Sequence, residues 1–341
     1  MKILVLVVAA VVFLCPRAEA EQAWKFEPAW WCRGEHCQTI YAGVFRWAPK
    51  LALRRERIDT PDGDFLDLDW LDGNTNSPLV VILHGLGSSS KTPSVQILLD
   101  EIRKLDWRAV AMNARGASGE PNRLRVTNHA GRSDDLDWVV KQILKNEKPE
   151  QIYLVGFSLG GNIILKWLGE QGAAVPPQVK RAVAISVPYD LWKTTEFLDQ
   201  GFNREVYTRA LLDKLKSQIL AKEKLFPDII NWEKAKRAKT FKVYDHEVTA
   251  PLNGFKDEVD YWARSSSAAY LDKIRVPALL IHAANDPFLP AEFLPYEQIR
   301  KSGNLTLLLT QDGGHMGFIS GHYPWTEKRW LEKTILSFLS S

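Results

Sequence analysis

From residue 51 onward the apolar positions first alternate with charged ones and then cluster. Leu66, Leu68 and Trp70 alternate with Asp67 and Asp69, which predicts a strand with one face buried and one in water. Pro61-Asp62-Gly63 supplies the turn before it. Then come short runs that are apolar at nearly every position: Leu79–Leu83, Ala109–Met112, Ile152–Val155, Ala182–Val187, Ala278–Ala283 and Leu305–Leu309. A strand apolar on both faces has to be covered on both. Between most of these runs lie amphipathic segments, 93–105, 134–145 and 159–169. Strands alternating with helices predict an α/β fold, a mostly parallel central sheet flanked by helices.

One interval breaks the rhythm. About ninety residues separate the run at 182–187 from that at 278–283, far more than a crossover helix needs. Helical patterns at 192–200 and 204–222 fall inside it, so residues about 190–265 are expected to form a helical cap inserted into a core domain spanning 51–341. The alternative is a run of surface helices with no lid role. Phe197, Phe202, Tyr207 and Trp262 are candidates to line a tunnel beneath this cap; the alternative for any one of them is that it only binds cap to core. Residues 21–50 are rich in Trp and poorly periodic, and are expected to be an irregular N-terminal extension.

The first twenty residues read differently. Lys2 precedes an unbroken apolar run from Ile3 to Leu14, followed by Ala18-Glu19-Ala20. The run is shorter than the roughly 20 residues a membrane-spanning helix needs. A charged start, a short apolar stretch and a small-x-small end predict a signal peptide cleaved after Ala20 and an exported protein, periplasmic or secreted. The competing readings are an uncleaved membrane anchor and a lipoprotein attached at Cys15, the latter disfavoured by bulky Phe13 and Leu14 before it. Export would leave Cys32 and Cys37 in an oxidising compartment, which permits a disulfide between them; the other reading is two unpaired thiols. A metal site from Cys32, His36 and Cys37 lacks a second ligand cluster.

Charge narrows the class of partner. The chain carries 44 basic and 41 acidic residues, a net +3 over 341, with no basic face, so nucleic acid is not an expected partner.

The chemistry-bearing residues follow strands. Gly156-Phe157-Ser158-Leu159-Gly160 sits between a strand and a helix, the setting of a G-x-S-x-G nucleophile elbow. Asn285-Asp286-Pro287 ends the strand 278–283, and Gly313-Gly314-His315 follows the strand 305–309. A serine needs a histidine to take its proton, and the imidazolium that forms needs a carboxylate. Ser158, Asp286 and His315 are therefore the candidate nucleophile, acid and base, in the chain order of α/β-hydrolases. Asp190, after the strand 182–187, is the rival acid. His84-Gly85-Leu86 ends the strand 79–83, where a second oxyanion donor is expected. The Leu86 and Leu159 N–H groups are the candidates, with His84 bracing the loop rather than acting as base. Arg115 is expected to pair with Asp134 or Asp135.

The sequence resembles the YheT-like branch of the α/β-hydrolase superfamily. That branch also holds yeast medium-chain ethyl ester synthase/esterases and mammalian membrane-anchored lipid hydrolases. The resemblance covers most of residues 36–340. It rests on His36-Cys37-Gln38-Thr39, the stretch from Pro61 to Trp70, and Arg115-Gly116 with Ser118-Gly119-Glu120-Pro121-Asn122. The Gly156–Asn162 elbow, Gly254-Phe255-Lys256-Asp257 through Tyr261, Asn285-Asp286-Pro287 and Gly313-Gly314-His315 complete it. Cys37 departs from the family's usual Leu, and the cleavable-looking leader departs from relatives without one or with an anchor. The resemblance implies cleavage of short- or medium-chain acyl esters or lipids with no cofactor, and peripheral contact with a membrane. The expectation is thus a carboxylic ester hydrolase. Transfer of the acyl group to an alcohol is the alternative within the same site, and a non-catalytic binding protein is the alternative outside it.

Overall fold

The computed structural model describes residues 24–341; the leader read in residues 1–20 and the alternatives at Cys15 lie outside them. The strands are β1 (Arg54–Asp59), β2 (Phe65–Leu71), β3 (Leu79–Leu83), β4 (Arg108–Asn113), β5 (Ile152–Phe157), β6 (Val179–Ile185), β7 (Ala278–Ala283) and β8 (Leu305–Thr310). They form one eight-stranded sheet in the order β1-β2-β4-β3-β5-β6-β7-β8. The six strands from β4 to β8 are parallel; β1 and β2 join antiparallel at one edge.

The both-faces-apolar strands do what their composition requires. In β3, Leu79 and Val81 face a core shared with Leu136, Val140, Ile164 and Leu168. Val80 and Ile82 face the opposite core, with Leu98, Ile102, Ile335 and Leu339. The helices Ser133–Asn146 and Leu159–Gln171 therefore cover one side of the sheet, and Pro93–Lys104 with Trp330–Ser340 the other. Each aliphatic side chain so buried stabilises the fold by about 1.5–3 kcal/mol. Parallel neighbours cannot be joined by hairpins, so each crossover helix lands on one face or the other.

Two expectations change, those for β2 and for the end of β6. The strand β2 is not half-exposed: all seven residues are buried. Its acidic face is covered because β1 pairs in a register that sets Arg57 opposite Asp67 and Arg55 opposite Asp69. Arg57 grips Asp67 through two bonds of 2.8 and 2.9 Å. The alternation was real, but its polar face meets arginines rather than water. The strand β1, Arg-Arg-Glu-Arg-Ile-Asp, lacks an apolar stripe because it is an edge, where charge discourages further pairing. β6 ends at Ile185 rather than Val187, since Ser186 takes a φ of 49°, outside strand geometry.

Between β6 and β7 the chain is helical. It runs through Leu191–Leu198, Arg209–Leu220, Trp232–Arg237 and Glu258–Ser265, with shorter turns between. Tyr207, Leu212, Ile219, Trp232, Phe241 and Val248 give this segment an apolar cluster of its own. The N-terminal residues are more ordered than their poor periodicity suggests. A short helix, Glu35–Ile40, runs into a π-helical turn, Tyr41–Phe45, and Phe26 packs on Phe318 and Trp330. Among the described residues no helix is long and apolar enough to cross a membrane.

Candidate active site

The turn from β5 into the helix Leu159–Gln171 is made by one residue. Ser158 has φ 49° and ψ −112°, a conformation that costs a residue with a Cβ about 1–3 kcal/mol. It is held there by packing and by a bond from Ser158 N–H to the Ile185 carbonyl, 2.8 Å. The glycines around it answer to close approach. A Cβ on Gly156 would stand 2.5 Å from Gly161 N, and one on Gly160 would press into the Leu83 carbonyl.

Three chain-distant side chains meet at this turn. His315 Nε2 stands 3.1 Å from Ser158 Oγ, and its Nδ1 stands 2.9 Å from Asp286 Oδ2. Asp286 is buried, and its other oxygen accepts the N–H groups of Phe288 and Leu289 at 2.8 and 3.2 Å. Burial alone would raise the Asp286 carboxyl. The charge and hydrogen bond of His315, with His282 and the Phe288 N–H, outweigh it and hold Asp286 below the ordinary carboxylate value. Asp190 does something else. It caps the helix Leu191–Leu198 by accepting the Lys193 N–H at 3.2 Å.

The loop carrying His315 is braced from four directions. Asn285 Oδ1 accepts the Gly314 N–H at 3.0 Å, and Ser186 Oγ accepts the Met316 N–H at 3.2 Å. Thr39 Oγ1 accepts the His315 N–H at 2.9 Å, and Gln38 Oε1 accepts the Ile319 N–H at 2.6 Å. Gln38 also donates to the carbonyls of Cys32 and Ile319. A Cβ on Gly314 would stand 2.6 Å from both the Glu35 carbonyl and Thr39 Oγ1, so a side chain there would push this brace away. The N-terminal segment is thus part of the site's scaffold, and the Cys32 and Cys37 sulfurs, 2.06 Å apart, flank the turn that delivers Gln38 and Thr39. Periodicity could not reveal this, because the braces act through single side chains. Phe288, face-on to His315, carried no sequence signal beyond standing two residues after Asp286.

Leu86 and Leu159 both border the cavity beside Ser158. Gly85 comes so near the elbow that a Cβ there would stand 3.5 Å from Ser158 Cβ. Among the described residues neither the Leu86 nor the Leu159 N–H donates to a protein acceptor. His84 joins two loops. Its Nδ1 lies 2.8 Å from the Gly85 carbonyl, and its Nε2 accepts the Ala114 N–H at 3.1 Å. Arg115 pairs with Asp135 at 2.6 Å and with Asp62 and Asp64 at 2.7 and 3.2 Å, while Asp134 faces Arg132.

A cavity of about 280 Å³ opens from Ser158 and His315 and runs beneath the helices that follow β6. Leu191, Leu198, Leu215, Ile219 and Trp262 give it an apolar wall. Phe197, Phe202 and Tyr207 do not line it. Phe197 packs edge-on to Phe293, Phe202 against His36, and Tyr207 against Phe288. Lys222, from the same segment, reaches the core loop and donates to the carbonyls of Leu124 and Val126. Burial pulls its ammonium down to about 8. Among the described residues no cluster of three His, Cys, Asp or Glu side chains is arranged to hold a metal ion.

A serine, a histidine and a carboxylate in one hydrogen-bonded line, at the carboxyl ends of three parallel strands, mark the edge where open α/β sheets carry their chemistry. The family model described as alpha/beta hydrolase fold matches residues 78–322. The chain belongs to the α/β-hydrolase family. It is 33% identical to YheT of Escherichia coli (strain K12), the match covering 90% of each chain. It is 28% identical to phospholipase ABHD3 of Mus musculus, covering 88% of this chain and 74% of that one. Among solved structures, the Pyrococcus furiosus esterase Pf2001 superposes with a TM-score of 0.56 at 20% identity. That match covers 86% of this chain and 95% of the other, and shows the shared α/β-hydrolase fold.

Proposed function

We propose that this chain is a serine hydrolase of carboxylic esters that works through an acyl-enzyme on Ser158. One observation carries the reading: Ser158 Oγ, the His315 imidazole and the Asp286 carboxylate form a continuous hydrogen-bonded line at the head of an apolar cavity. Relatives named as an esterase and as a phospholipase support ester hydrolysis.

Ser158 Oγ attacks the ester carbonyl while His315 Nε2 takes its proton. Asp286 keeps the imidazole in the tautomer with Nδ1–H and stabilises the imidazolium. The developing oxyanion is met by the N–H groups of Leu86 and Leu159, which border the cavity and have no acceptor among the described residues. His315 then gives the proton to the departing alcohol. Water, activated by the same imidazole, hydrolyses the acyl-Ser158.

The substrate class is a short- or medium-chain acyl ester or a lipid ester. Each methylene moved from water into the apolar wall contributes about 0.8 kcal/mol to binding, and the helical segment 190–265 acts as the cap that supplies this wall. The protein is exported after cleavage at Ala20, and Cys32 and Cys37 are bonded in the mature form. Mass spectrometry of protein from the exporting cell tests both, since an intact Met1 or two alkylatable thiols would reject the corresponding statement.

Labelling by a fluorophosphonate tests the central reading. The wild type labels on Ser158 and hydrolyses p-nitrophenyl esters, and Ser158→Ala folds but loses turnover by about a million-fold. Label on another residue, or a tenth of the activity remaining in Ser158→Ala, rejects it.

A further inference from the structure

The turn Tyr41–Phe45 has two faces. Ala42 and Gly43 line the cavity beside Thr39. Val44 and Phe45, next along the turn, are 69% and 66% exposed, and Trp47 follows at 73%. The loop before the last helix lies alongside. Trp30 Nε1 donates to the His322 carbonyl at 2.9 Å, and Arg46 pairs with Glu327. That loop adds Tyr323 and Trp325, stacked with centroids 5.1 Å apart, Trp325 being 80% exposed. Soluble surfaces carry single exposed apolar residues as a matter of course, but a gathering of large ones marks a docking site.

The charges of these chain segments select the occupant. Arg33, Lys50 and Lys328 are exposed and have no carboxylate partner among the described residues. The acids of the same segments, Glu35 and Glu327, face His36 and Arg46 instead. A second copy of the chain, docked through the same patch about a two-fold axis, would bring these cations against their own counterparts. An anionic lipid surface answers both features, because Trp and Tyr settle at the bilayer–water boundary and free Lys and Arg are drawn to anionic headgroups.

We propose that this face docks the protein on an anionic lipid bilayer. Val44, Phe45, Trp47 and Trp325 enter the interface, and the Ala42–Gly43 wall of the cavity is set against the lipid. That docking delivers lipid esters to Ser158 rests on the ester-hydrolase reading; the docking itself does not.

Co-sedimentation with vesicles of equal phosphatidylglycerol and phosphatidylcholine tests it, with p-nitrophenyl butyrate hydrolysis measured on the same preparations without vesicles. The wild type sediments with the vesicles. The triple variant Phe45→Ser, Trp47→Ser, Trp325→Ser loses roughly tenfold or more of that partitioning. The variant Arg33→Glu, Lys50→Glu, Lys328→Glu loses binding to these vesicles, and both variants keep wild-type hydrolysis of the soluble ester. Wild type left in the supernatant, or either variant sedimenting as the wild type does, overturns the proposal. So does sedimentation velocity showing a vesicle-free dimer that the aromatic variant abolishes, which assigns the face to self-association. If the wild type sediments but no preparation hydrolyses the soluble ester, the ester-hydrolase reading fails and the docking stands.

Discussion

The ring of Phe288 lies face-on against the imidazole of His315, with centroids 4.1 Å apart and planes within 14°. The same residue's N–H donates to Asp286 Oδ1 at 2.8 Å, and its ring meets Tyr207, 4.7 Å away. Phe288 therefore touches both His315 and Asp286, the proposed base and acid. A flat apolar wall on one side of the imidazole limits its rotation and keeps Nε2 toward Ser158. Phe288→Ala should lower kcat by roughly ten- to a hundredfold, the cost of a misplaced catalytic group, with a smaller change in KM. Phe288→Tyr should retain most of the rate. Steady-state kinetics on a p-nitrophenyl ester check this, and an alanine variant with wild-type kcat would show that the stacking is idle.

The two candidate acids are expected to differ sharply in their contribution to the rate. Asp286→Asn should cost about ten-thousand-fold in kcat, as when the orienting acid of a protease triad is replaced. Asp190→Asn should cost little in rate or stability, since asparagine caps a helix as well as aspartate does. Parallel kinetics on the two variants decide it, and the reverse ranking would remove Asp286 from the role.

Gln38 is fully buried and bridges Cys32 and Ile319 through three hydrogen bonds. Gln38→Ala leaves the Ile319 N–H and two carbonyls buried without that partner, at about 3 kcal/mol in total. The midpoint of urea unfolding should fall accordingly, and fluorophosphonate labelling should slow because the His315 loop loses a brace. An unchanged midpoint would mean that water replaces the amide without loss.

Asp245 lies on the cavity wall, accepting from Trp262 Nε1 at 2.9 Å and from the Thr249 hydroxyl at 2.7 Å. Burial pushes its carboxyl up to about 7; those two bonds pull it back, and Asp199 and Glu258 add to the rise. The folded chain thus keeps a proton that the unfolded chain releases above about pH 4. The resulting stabilisation is complete below pH ~4 and is lost as pH rises through about 7, up to about 4 kcal/mol by pH 8. Denaturant unfolding at pH 5 and pH 8 should show a smaller loss in Asp245→Asn than in the wild type. Equal losses in the two proteins would show that Asp245 is ionised throughout.

Much of this protein is legible along the chain because its signals are local. Runs such as Leu79–Leu83 and Ala278–Ala283 are apolar on both faces, and only a strand covered twice can bury them. Gly156 and Gly160 bracket Ser158 because a sharp turn from strand to helix leaves no room for a Cβ. By itself, then, the sequence determined the α/β alternation, the strained turn at Ser158, and the order of serine, acid and histidine at strand ends.

What it could not determine was partnership across long separations. Asp286 and Asp190 both follow strands, and only the parallel pairing of β7 with β8 brings one of them to His315. The acidic face of β2 read as wet until the register with β1 laid Arg55 and Arg57 over it. Phe197, Phe202 and Tyr207 looked like cavity aromatics, yet packing turned them onto Phe293, His36 and Phe288. The bracing of the His315 loop by Gln38 and Thr39 joins residues more than 270 apart in the chain. Periodicity records how each segment divides its own faces. Which distant side chain fills the space opposite is settled by the close packing of the whole, and that is where the tertiary structure decided the site.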